Sequence, residues 1–164
     1  MADKLRNLTD LFEHELKDLY SAEEQQCNAL PQLKSKATDS KLQQLFDETL
    51  KETQTQKERL SRIIDELGIA KDEKCLAMEG LINETEHRLD ENATPVVKDA
   101  ALIGAAQRIE HYEIAGYGTA IAYARRLKKH DIADELEKTL KEEKATDFRL
   151  NEAALSDLNE EIAK

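Results

Sequence analysis

The chain's 164 residues include 36% charged side chains, five Gly, two Pro and no Trp. Such a length and composition predict a single, almost wholly helical domain with a substantial core and little place for strands. The formal net charge of −11 excludes a general nucleic-acid binder, because phosphate recognition needs clustered Lys and Arg, and it makes cations the natural partners. No apolar run approaches the ~18 residues of a membrane span, and residues 1–7 lack the apolar core of a signal peptide. Cys27 and Cys75 form no CxxC pair, which suits a reducing compartment. A cytoplasmic protein with no membrane partner is expected, with both cysteines acting as small buried hydrophobes.

The first helix is predicted over 7–36, capped by Asn7 or Thr9. Its apolar row of Leu16, Leu19, Tyr20, Cys27 and Leu30 is interrupted by Glu23, and Pro31 should kink it near its end. Thr38, Asp39 and Ser40 make a short connection to a second helix over 39–67, ended by Gly68. Its row reads Leu42, Leu45, Thr49, Glu52, Gln56, Ile63 and Leu67. Between this helix and the next long one lies too much chain for a turn. It predicts a crossover carrying a short helix at 74–89. Thr94 and Pro95 start a third long helix over 95–128, in which Glu110 and Glu113 share a row with Ile103, Ala106 and Tyr117. The last helix, over 131–160, is expected to start from Asp131 as N-cap with Asp134 at the capping-box position. Its row contains Ile132, Leu136, Leu140, Glu143, Asp147, Leu150 and Ala154.

Each long helix thus carries acidic residues in the row that should face a core, near its middle. A buried carboxylate needs a cation, a proton or a hydrogen-bond partner, since burying it alone costs several kcal/mol or more. At mid-height of a four-helix bundle Glu23, Glu52, Glu110 or Glu113, and Glu143 would converge, with Gln56 and Asp147 a turn away. Ferritin-like bundles hold two metal ions in this way. The competing explanation is ordinary: acidic residues are abundant here, and most of them solvate helix exteriors. Tyr20 and Tyr117 lie within a turn of these carboxylates and could either donate to them or merely fill core space. His111 lies about 100° round from Glu110 and is expected in a supporting, packing or dimer contact, while His14, His87 and His130 read as surface residues.

The stretches Glu15–Glu23, Cys75–Ile82, Lys98–Ile103, Glu110–Thr119 and Glu142–Asp147 resemble the YciF-type (YciE/YciF) family of bacterial ferritin-like, rubrerythrin-like stress proteins. The resemblance implies two antiparallel helical hairpins in a ferritin-like four-helix bundle, usually a homodimer, with a dinuclear iron or manganese centre. The ligands it implies are Glu23, Glu52 with Gln56, Glu113 with Glu110 near it, and Glu143 with Asp147. Tyr20, His111 and Tyr117 would surround them. Ferritins and rubrerythrins place Glu-x-x-His on two helices, and this chain has none at these positions. An oxygen-only shell also suits manganese, magnesium or calcium. Two readings therefore stay open: a metal protein handling metal or peroxide under stress, with a rubrerythrin-type oxidoreductase activity as one outcome, or a non-catalytic helical dimer with a metal-free carboxylate cluster.

Overall fold

The structure, a computed structural model, describes residues 5–89 and 92–156. Five helices account for the regular structure of these residues: α1 (Leu8–Lys36), α2 (Ser40–Leu67), α3 (Leu76–Leu89), α4 (Pro95–Arg126) and α5 (His130–Leu155).

Local chemistry explains most of the helix ends. Asn7 caps α1 by accepting from the Asp10 amide at 3.0 Å, and Asp39 caps α2 by accepting from Leu42 at 2.9 Å. Gly68 ends α2 in the left-handed region at φ 67°, which a residue without Cβ adopts freely. Pro95 opens α4 at a position whose amide would have no helical acceptor. The α4–α5 turn departs from expectation. There α4 stops at Arg126, Lys128 takes a φ of 60°, and Lys129 precedes α5 without a side-chain cap, leaving Asp131 in the first turn. A carboxylate there still faces the positive end of the helix, so Asp131 acts through the dipole instead of through a cap. The expected continuation of the last helix to 160 falls partly outside the described residues.

Cross-contacts set the helix directions. Lys34 reaches Asp47 and Lys57 reaches Glu24, so α1 and α2 are antiparallel. Arg59 meets Glu142 while Arg149 meets Glu48 and Glu52, which makes α2 and α5 antiparallel. Arg125 pairs with Glu137 and His111 with Asp147, so α4 and α5 are antiparallel too. The long helices therefore form a ring in the order α1, α2, α5, α4. Within it α2 and α4 run the same way. The chain must consequently travel back along the molecule between them, and it does so through α3, which packs across α1 and α4.

Apolar side chains fill the two ends of the ring. Phe12, Leu16, Leu60, Ile64 and Leu136 pack at one end, and Leu30, Leu42, Phe46, Leu102 and Leu150 at the other. Beneath α3, Ala22, Cys75, Met78 and Ile109 form a third cluster. At Gly116 a Cβ would stand 2.7 Å from Leu19 Cδ2; the missing side chain lets α4 approach α1. Asp99, 1% exposed, ties the start of α4 to the α1–α2 connection by accepting from the amides of Thr38 (2.8 Å) and Asp39 (2.9 Å) and from the Thr38 hydroxyl.

Candidate metal centre

Between the apolar ends the ring narrows to a polar layer. Its central side chains, Glu23, Gln26, Glu110, Glu113 and Glu143, are 0–3% exposed. The apolar rows of α1, α4 and α5 are what carry them inward, because each acidic residue stands at the row's own spacing between large hydrophobes. Glu110, Glu113 and Glu143 each offer a carboxylate oxygen to a point where these atoms lie within 4.8 Å of one another. On α1 beside them, Glu23 receives a short hydrogen bond from the Tyr117 hydroxyl through Oε1. Its other oxygen, and Oε2 of Glu110, are buried with no partner.

Gln26 sits between the two α4 carboxyls. In one orientation its amide donates to Glu110 Oε1 at 3.3 Å; turned over, it donates to both oxygens of Glu113 at 3.0 Å. Thr53 supports it from α2. The sequence reading missed Gln26. Its signal was there, three residues after Glu23 and four before Leu30, but an uncharged amide does not interrupt an apolar row as visibly as a carboxylate does.

This many carboxyls cannot all be ionised without a counter-charge. Burial pushes Glu23, Glu110 and Glu113 well above the usual carboxyl range, and repulsion from neighbouring carboxylates adds to it. Glu143 is raised to about 7 by burial, the rise being moderated by hydrogen bonds from Glu110 and Glu113. The metal-free cluster is thus driven to retain protons, and Glu23 Oε2 still has no partner. Carboxylate oxygens without donors in a dry layer are what a hard or borderline divalent cation would satisfy.

Other expected site residues lie around this centre. Gln56 is buried and donates to Glu142 at 3.2 Å. Glu52 turns toward the α2–α5 seam, where Arg149 Nη2 donates to it at 2.6 Å and Thr146 at 2.9 Å; Thr53 takes the inward place in its stead. Even so, Glu52 is near enough to raise Glu143. Asp147 faces His111 Nε2 at 3.2 Å, with His111 itself 67% exposed. Tyr20 lies at the edge of the core with Lys57 and Lys71 over its ring. Of the cysteines, Cys75 is buried and Cys27 only half-buried. Burial, with Glu23 nearby, raises the Cys27 thiol to about 11, so neither geometry nor acidity makes it a nucleophile.

Helices in a closed ring around buried carboxyls define the class: an all-helical protein with an acidic core layer. Residues 7–163 match the family described as Domain of unknown function (DUF892). The chain belongs to that family. It is 42% identical over 157 residues to Protein YciF of Escherichia coli (strain K12), an alignment covering 94% of this chain and 95% of that protein. The crystal structure of the E. coli stress protein YciF superimposes with a TM-score of 0.90 at 42% identity, covering 94% of this chain and 99% of the other. A protein called YcfI from Rhodopseudomonas palustris gives 0.88 at 41% identity, over 92% and 97% of the two chains. A protein from Xanthomonas campestris pv. campestris, 19% identical, shares the fold with a TM-score of 0.76. Among the described residues no helix is long and apolar enough to cross a membrane.

Proposed function

We propose that this protein is a ferritin-like four-helix bundle that binds a dinuclear iron or manganese centre through Glu23, Glu110, Glu113 and Glu143. The observation carrying this reading is Glu23 Oε2, buried without a partner beside the converging carboxyl oxygens of Glu110, Glu113 and Glu143. Charge supports two ions: four carboxylates are balanced by about two divalent cations, whereas one would leave net negative charge in a dry interior. Tyr117 and Gln26 orient Glu23 and the α4 carboxyls from either side, as outer partners of metal ligands do. With ions bound, the centre would supply redox chemistry toward small oxygen species such as peroxide, which fits the stress association of the E. coli relative. A homodimer in the cytoplasm completes the reading.

The burial that raises the pKa values of Glu110, Glu113 and Glu143 also favours a second reading, a helical interaction protein whose core carboxyls remain protonated. Elemental analysis separates the two. Protein produced in metal-replete medium and purified without chelator should carry about two iron or manganese ions per chain, and Glu113→Gln/Glu143→Gln should carry background metal. Background metal in both proteins would leave the proton-sharing reading standing.

A further inference from the structure

The polar layer is closed on one side of the ring and lightly closed on the other. Across the α1–α4 edge lies α3, whose Met78, with Cys75 just before the helix, packs on Ala22 and Ile109 at the height of the carboxyls. Here Ser21 binds the Cys75 amide at 2.9 Å and Gln25 its carbonyl at 2.9 Å, so the cover is fastened as well as dry. The opposite edge is the α2–α5 seam, where the helices pack far more sparsely than in either hairpin. Between Phe46 and Leu60 α2 buries Thr49, Thr53 and Gln56, and between Leu136 and Leu150 α5 buries Thr139, Glu143 and Thr146; of these Gln56, Thr139 and Thr146 bond across the seam itself. A hydrated cation can exchange water for hydroxyl and amide oxygens along such a path, but not along an apolar one.

Two arginines span this seam, and they are held differently. Arg59 forms a fork with Glu142, Nη1 to Oε2 at 2.9 Å and Nη2 to Oε1 at 3.0 Å, and also bonds Thr139. Arg149 also bonds a threonine, Thr146 at 2.7 Å, but it meets Glu52 through Nη2 alone, reaches Glu48 only at 3.5 Å, keeps its Nε without a partner, and is 35% exposed against 11% for Arg59. A bidentate pair is the stronger and more directional of the two, so Arg149 is the one that yields. Its partner Glu52 is 35% exposed at the side chain, yet close enough to act on Glu143.

From this we propose that cations reach the core through the α2–α5 seam, and that the Arg149–Glu52 pair is its gate. Glu52 leaves Arg149 to meet the incoming ion and passes it to Glu143, then returns to Arg149. The assignment rests on the metal-binding reading above and adds the route. It makes Glu52 a residue of uptake, not of the filled centre.

The test mixes chelator-treated full-length protein with Mn²⁺ alone and follows loss of the free-ion electron paramagnetic resonance signal, then measures Mn content at equilibrium. Glu52→Gln should slow uptake on the order of tenfold by removing the steering charge, and Arg149→Gln should speed it. Both should reach the wild-type Mn content, and Tyr112→Phe, which removes the hydroxyl that lies 3.1 Å from Cys75 Sγ at the α3 edge, should match wild type in rate. Arg149→Lys keeps a cation on Glu52 and should stay near the wild-type rate, and if Arg149→Gln folds poorly the rate of Glu52→Gln alone decides, an unslowed rate overturning the gate. Indifference of the rate to both Glu52→Gln and Arg149→Gln overturns the gate, and slowing by Tyr112→Phe places the route under α3. Lower Mn content in Glu52→Gln overturns the gate as well, because Glu52 would then be a ligand. Wild-type protein that takes up no Mn²⁺ refutes the metal reading and the gate together; wild type that fills at a rate no variant alters refutes the gate only.

Discussion

A single hydroxyl shows how finely the core layer is set. Tyr117 is fully buried and its ring packs with the apolar end of the ring of helices, while its hydroxyl supplies the one hydrogen bond that Glu23 receives. Tyr117→Phe keeps the ring and leaves the carboxyl of Glu23 without a donor, which should destabilise the metal-free protein by about 1–3 kcal/mol. Urea denaturation of the two proteins measures it; equal midpoints would mean that Glu23 has another donor. Several residues of this layer were legible in the sequence because a charged residue in an apolar row is conspicuous, as with Glu23, Glu110, Glu113 and Glu143. Gln26 and Thr53 were not, because amides and hydroxyls occur on both faces of ordinary helices. Glu52 shows the opposite difficulty. It stands 100° from Thr53 on the helix, and both choices keep a tolerable apolar row. What turns Glu52 outward is Arg149, 97 residues later, a partner that helical periodicity within α2 does not reveal.

At the scale of elements, each hairpin follows from short-range signals. The Asp39 cap, Gly68 and the Thr94–Pro95 start are all local chemistry, which is why the long helices and the crossover between them could be placed from sequence. The joint between the hairpins is not local. Asp99 lies in the second turn of α4, one turn before Ile103 in the same row, and it is buried and accepts from two backbone amides of the α1–α2 connection, partners that its own helix does not reveal. Removing it strands those amides where water does not replace the bond. Asp99→Ala should therefore cost about 3 kcal/mol, the scale of charge-assisted bonds lost together with the desolvation of their donors. Asp99→Asn retains an acceptor oxygen and should cost less. Chemical denaturation gives both values, and a loss below ~0.5 kcal/mol for Asp99→Ala, the range of ordinary surface changes, would show that the joint is held by apolar packing alone. The altered joint should leave Mn²⁺ content unchanged, since Asp99 belongs to the apolar end and not to the carboxyl layer.

For the molecule as a whole, the acidic layer makes stability depend on pH in a direction opposite to that of ordinary acid denaturation. Glu23, Glu110, Glu113 and Glu143 all have native pKa values raised above the usual 4.5 of an unfolded glutamate. Above pH about 4.5 the native state consequently binds more protons than the unfolded chain, and the slope of unfolding free energy with pH is negative. Their contribution is complete below that pH and is lost as pH rises through each native value, which for Glu143 is about 7. The melting temperature of metal-free protein should therefore fall between pH 5 and 8, and Glu143→Gln, which needs no proton, should flatten the fall. Divalent cations reverse the balance, because they occupy the oxygens that protons held and bind better as protons leave. At a Mn²⁺ concentration of about 100 times the Kd at pH 6, binding contributes about 2.7 kcal/mol there, and because Kd falls as protons leave, the same concentration should raise the melting temperature more at pH 8. Melting curves at both pH values, with and without Mn²⁺, decide the matter. A metal-free melting temperature that is flat from pH 5 to 8 and unchanged by Glu143→Gln would mean that these carboxyls are not pressed together in solution.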